Sequence, residues 1–248
     1  MTKEDFTNYD KMQRSSRMRI LGILAIGCGV LPLALAFFLA GLDRLVSLGI
    51  ISSSQSVAIG EVIIQIIHPL LGTLIGVLLL FILQFGIKEW VDQARLGKGL
   101  FIVIVVCLII YMVVNPIYWF LVNTPASVDP GLAGLLLLFP NASLLTSNVV
   151  QLALNPLFLG LYIITLGSAL VYISAFGFLL IRLNGKCQTG NLILPAFFFL
   201  VQLITCGSLA VGGGEGEETL IVMIWLMLLG IVILVGYIFL GLRLFGWH

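Results

Sequence analysis

Ile20–Leu42 reads ILGILAIGCGVLPLALAFFLAGL: 23 residues with no charged side chain, entered directly from KMQRSSRMR at positions 11–19. At about 1.5 Å per residue a helix of this length crosses a hydrocarbon core of about 30 Å. The run is longer than the apolar part of a secretory signal and has no small-residue cleavage pattern after it, so it is expected to stay as the first span. Five further runs pass the same test: 62–87, 100–122, 149–181, 191–213 and 219–242. Open strands cannot satisfy their backbone groups in lipid, and the runs lack the alternation of barrel strands, which leaves helices.

Composition agrees. Of 248 residues 60% are hydrophobic and 9% charged, too few to give a protein of this size a polar shell, so lipid must cover most of it. The expected class is an all-α integral membrane protein of about six transmembrane helices in three consecutive hairpins. A basic N-terminal segment (1–19) precedes one membrane domain (20–242), and a short C-terminal segment follows (243–248).

Basic residues set the orientation. With the N-terminus inside, Lys3, Lys11, Arg14, Arg17, Arg19, Lys88, Arg95, Lys98, Arg182, Lys186 and Arg243 are all cytoplasmic, and of the 12 Lys and Arg residues only Arg44 falls outside. Both termini are therefore expected in the cytoplasm, with the plasma membrane as the natural location. The opposite side carries Asp43, Glu61, Asp129, Glu215, Glu217 and Glu218. The inner turns 88–99 and 182–190 are short and polar, whereas the outer connections 43–61 and 123–148 are longer and apolar. Too short to cross, the outer pair is expected to lie along the interface, dip in as re-entrant pieces, or cover a partner.

A weak internal repeat supports the hairpin scheme. Gln65-Ile-Ile-His68-Pro69-Leu-Leu-Gly72 resembles Gln151-Leu-Ala-Leu-Asn155-Pro156-Leu-Phe-Leu-Gly160, and Gly97-Lys98 and Gly185-Lys186 follow at nearly the same distance.

Polar residues within the runs are the places to look for function. His68-Pro69, Asn115-Pro116 and Asn155-Pro156 each lie some way in from the outer end of a run, and each proline frees a carbonyl four residues earlier. In the second and fourth runs, polar-then-Pro also describes a helix start, with the polar side chain as cap and proline at the first helical position. The functional alternative is an outer vestibule in which His68, Asn115, Asn155 and Glu61 hydrogen-bond a polar ligand.

Several chemistries lose support. No Asp, Glu, Lys or Arg falls in the middle of a run, although proton or sodium coupling usually keeps an ionisable group there. His68 has no second intramembrane histidine with which to hold a haem. The protease motifs G-x-S-x-G and H-E-x-x-H are missing, and Cys28, Cys107, Cys187 and Cys206 lie far apart without metal spacing. No catalytic residue, cofactor or metal is assigned, and the net charge of +1 gives no reason to expect nucleic acid. Gly72 and Gly76 form one GxxxG, Gly230, Gly236 and Gly241 stud the last run, and Trp90, Trp119, Trp225 and Trp247 fall near run ends as an aromatic belt would. Asn141-Ala-Ser143 matches a glycosylation sequon, and the Gly-rich acidic segment 212–218 reads as a turn. What remains is a non-catalytic subunit or scaffold, packed against lipid and other membrane chains or against copies of itself. The alternative is a passive or partner-energised conduit for a neutral or weakly polar solute.

Overall fold

A computed structural model describes residues 3–122, 155–186, 191–209 and 218–245. The described residues form helices α1 (Lys3–Ser47), α2 (Ser53–Val62), α3 (His68–Ile82), α4 (Lys88–Ala94), α5 (Lys98–Val122), α6 (Pro156–Leu183), α7 (Ile193–Leu209) and α8 (Glu218–Leu244), and no strand. Four stretches are long and apolar enough to cross a membrane: Ser16–Ser47, Leu70–Ala94, Lys98–Tyr118 and Pro156–Leu183. α7, at 17 residues, and the apolar stretch Gly230–Leu244 of α8 are shorter.

The apolar connection 43–61 is mostly helix, formed by the end of α1 and by α2. α1 runs on to Ser47 and stops because Gly49 takes a left-handed conformation (φ +70°), with Gly49 N–H donating to Val46 O and Ile50 N–H to Leu45 O. This pairing closes the last carbonyls of a helix and favours glycine at its left-handed position. Ser52 then opens α2 with a reciprocal cap: its hydroxyl accepts from Gln55 N–H, and the Gln55 side chain accepts from Ser52 N–H. Residues 123–148 lie outside the described residues.

α2, α3 and α4 follow one another through two π-helical turns, Ile63–Ile67 and Leu83–Ile87. Pro69 supplies a reason for the first. Its ring has no N–H and crowds the carbonyl four residues back, and a widened turn relieves that crowding without ending the helix. The reading of His68 as a cap at a helix start is therefore corrected: Ile67 holds the cap position in ordinary helical geometry and makes no side-chain cap bond.

The helices close into a ring. α1 packs on α3, α3 on α5, α5 on α6, α6 on α7, α7 on α8, and α8 returns to α1. Glycine makes the closure tight. A Cβ on Gly241 would stand 2.6 Å from the Gly22 carbonyl oxygen, and Gly29 lies against the carbonyl of Leu234. Residue numbers rise along α1 from 22 to 29 as they fall along α8 from 241 to 234, so these helices run antiparallel. The outward faces are apolar, with Ile23, Phe37, Phe38, Ile102, Val113, Ile163 and Phe178 among the exposed side chains.

At one end of the ring, a Cβ on Gly86 would stand 3.2 Å from Leu21 and 3.3 Å from Leu244, and one on Gly97 would stand 2.5 Å from Leu179. Arg17, Arg19, Lys88, Lys98, Arg182 and Arg243 flank these contacts, with Lys186 in the turn after α6 and Arg14 further out on α1. Arg44 sits at the opposite end of α1, in its last turn.

Candidate functional site

α5 is the least enclosed of the helices that could cross, yet it carries a sharply defined inner stripe. Ile104, Leu108, Tyr111, Asn115 and Tyr118 are each no more than 2% exposed, at alternating spacings of four and three. That spacing keeps one narrow face turned to a partner helix. The facing stripe on α6 contains Tyr162, Thr165, Ser168, Tyr172 and Phe176.

Ring contacts fix the register. Tyr111 meets Tyr172 with centroids 5.6 Å apart, and Tyr118 meets Tyr162 at 6.0 Å. Between these pairs Asn115 is level with the turn Thr165–Ser168. Asn115, Thr165 and Ser168 are buried, and with Ser56 they are the buried polar side chains of the described residues. The Thr165 hydroxyl donates to Leu161 O at 2.8 Å and the Ser168 hydroxyl to Thr165 O at 3.0 Å. Each keeps its oxygen as an acceptor. Toward the basic end the seam turns apolar, with Ile104 and Leu108 on α5 and Phe176, Leu179, Leu180 and Leu183 on α6.

Beyond Tyr172 the aromatic contacts continue across the ring. Phe176 meets Phe199 edge-on at 4.7 Å, and Phe199 meets Tyr237 at 4.9 Å. Tyr237 is within electrostatic range of Tyr172, Tyr111 and Cys28. Side chains from α1, α5, α6, α7 and α8 thus fill the centre.

The residues singled out from sequence separate. Asn115 belongs to the seam. Asn155 does not: it caps α6, its side chain accepting from Leu157 N–H at 3.0 Å with Pro156 at the first helical position, as the cap reading expects. Ten residues, about 15 Å of helix, part it from Thr165. Glu61 is half-buried near the end of α2. His68 and Pro69 begin α3 after the π turn, and because Gly76 faces Met112 they lie within about a turn of the Pro116 level on α5. The two halves of the sequence repeat therefore occupy different settings, a helix interior and a helix start. Their glycines agree better, since Gly97 and Gly185 are both left-handed.

Sequence reasoning missed the tyrosines. A phenol usually marks the membrane interface, where its hydroxyl meets water. Tyr111, Tyr172 and Tyr237 sit well inside their runs instead, a placement that signals an inward face. Among the described residues no three His, Cys, Asp or Glu side chains gather as a metal site would require. Comparisons with protein-family models, with characterised proteins and with solved structures find no match to this chain.

Proposed function

We propose that this chain is a non-catalytic integral membrane subunit of a larger assembly. It crosses the plasma membrane six times with both termini in the cytoplasm, and packs against lipid and against other membrane chains or copies of itself. The observation that carries this reading is the filled centre of the ring. Cys28, Tyr111, Tyr172, Phe176, Phe199 and Tyr237 are each no more than 3% exposed, so among the described residues the centre is packed and the exposed faces are largely apolar. The gathering of basic residues at one end supports the orientation. Gentle extraction followed by native mass measurement tests the reading. A complex of fixed stoichiometry is expected, whereas a solitary chain that confers permeability on its own refutes it.

A second reading has one specific observation behind it. The hydroxyl-rich half of the α5–α6 seam suits a partner-energised conduit for a neutral or weakly polar solute. Under this reading Asn115→Leu lowers flux through vesicles holding the complete assembly while the chain still folds.

A further inference from the structure

We infer that the basic end of the α5–α6 pair binds the head group of an anionic phospholipid through Arg95, Lys98, Arg182 and Lys186, with an acyl chain lying along the outward side of the same helices. The inference goes beyond the subunit reading and requires only that α5 and α6 cross a membrane.

Three observations carry it. The first is convergence. The α4–α5 turn is pressed onto α6, since a Cβ on Gly97 would stand 2.5 Å from the Leu179 side chain, and α4 rests on both helices. Arg95 ends α4 and Lys98 opens α5, while Arg182 follows Leu179 by three residues and Lys186 stands in the turn beyond α6. Two segments remote in sequence thus bring four cations to one corner of the bundle. All four are exposed, and none of their side chains has a hydrogen bond or ion pair among the described residues. Of the acids on α4, Glu89 is already engaged and Asp92 is a single exposed carboxylate, so the corner keeps an excess of positive charge.

The second observation is what lies beneath the cations. Side chains four residues apart share one face of a helix. Lys98 therefore stands above Ile102 and Arg182 above Phe178, and both apolar side chains are exposed. A soluble anion has no use for such a floor. A phospholipid matches both levels, with phosphate beside the cations and hydrocarbon beside Ile102 and Phe178.

The third is Arg95 itself, the one non-glycine residue with a positive φ (+51°) among the described residues. The fold alone favours glycine in that conformation, as it has at Gly97 and Gly185. An arginine there adds charge to the corner and strain to the turn.

The test uses the full chain in detergent micelles with dioleoylphosphatidylglycerol or dioleoylphosphatidylcholine added, and native mass spectrometry gives the dissociation constant of the first bound lipid. A Lys or Arg near an anionic lipid surface contributes about a factor of five in affinity. Phosphatidylglycerol is therefore expected to bind at least about tenfold more tightly than phosphatidylcholine. Lys98→Gln and Arg182→Gln should each weaken phosphatidylglycerol about fivefold and leave phosphatidylcholine unchanged, with Arg182→Lys restoring the loss. Arg95→Gly should weaken it by a similar factor while the midpoint of unfolding in dodecyl sulfate holds or rises, which separates charge from folding. Arg19→Gln, at the α1–α8 contact, should leave the constant unchanged. Arg95→Gly and Lys186→Gln carry the test should the other two variants fail to fold. Equal affinity for the two lipids overturns the inference. Equal losses from Arg19→Gln and Arg182→Gln overturn the corner as the site, because the whole basic end then acts as a diffuse field. Displacement of the lipid by sodium phosphate at constant ionic strength overturns the choice of a lipid over a soluble anion. Selective lipid on a chain whose native mass is that of a solitary molecule upholds the inference and removes the subunit reading instead.

Discussion

Gly27 and Gly29 lie two residues apart on α1 and make a matched pair. A methyl group added at Gly27 meets nothing within 4 Å. The same group at Gly29 runs into the Leu234 carbonyl of α8 and stands 3.1 Å from the Ile238 side chain. Because the obstacle is backbone, no rotamer change relieves it, and α1 and α8 must separate by a sizeable fraction of an ångström. A gap of that order forfeits about a quarter to a half of each dispersion contact along the crossing. Overpacking of this kind costs about 1–3 kcal/mol. Replacing glycine within a helix also gains about 0.5–1 kcal/mol of propensity, but that gain is common to both positions and cancels in the comparison. Gly29→Ala should therefore be less stable than Gly27→Ala by about 1–3 kcal/mol, roughly a 5- to 150-fold difference in the folding equilibrium at 1.4 kcal/mol per decade. Unfolding in mixed micelles by increasing sodium dodecyl sulfate, followed by tryptophan fluorescence, gives the two midpoints. Coincident midpoints would refute the α1–α8 crossing as the closure of the ring.

Three further outcomes are expected. Asn155→Ala removes the acceptor for Leu157 N–H and should cost about 1 kcal/mol, while Asn155→Ser, which keeps a capping oxygen, should cost only a small part of that; amide exchange over the first turn of α6 reads both. Asn184→Ala strips the acceptor from the N–H of buried Leu192 and should cost about 1–3 kcal/mol in the same micelle titration, with Asn184→Asp restoring most of it. Tags at Met1 and His248 should both be reachable only from the cytoplasmic side of intact cells, and tags reachable from opposite faces refute an even number of crossings.

The helical runs were legible because charges bracket them. The run 100–122 corresponds to Lys98–Val122, and 219–242 to Glu218–Leu244. Within the apolar connection 43–61 two local signals mark the break between α1 and α2: Gly49 as a helix stop and Ser52-x-x-Gln55 as a helix start. His68-Pro69 and Asn155-Pro156 carry the same local chemistry and fold differently, so the dipeptide alone does not decide between a helix start and a widened turn. The ring order and the seam were less accessible still. A helix apolar on all sides shows no hydrophobic periodicity from which to choose its inner face. On such a helix the polar residues mark that face, and Tyr162, Thr165, Ser168 and Tyr172 do so at spacings of three and four.

The closure of the ring argues for an even number of crossings by a route independent of charge. α1 and α8 are antiparallel where Gly22 meets Gly241 and Gly29 meets Leu234. α5 and α6 are antiparallel where Tyr111 meets Tyr172 and Tyr118 meets Tyr162. Val122 and Pro156 therefore lie at the same end of the bundle. If direction alternates around a closed ring of packed neighbours, the first and last members oppose each other only when the number of members is even. Lysine and arginine reach the same conclusion from the water side, since an odd count would divide the residues that gather beside Gly86 and Gly97. Packing inside the bundle and charge outside it thus point to the same parity and support the proposed topology, in which the four stretches long and apolar enough to cross are joined by the shorter α7 and the apolar stretch Gly230–Leu244 of α8.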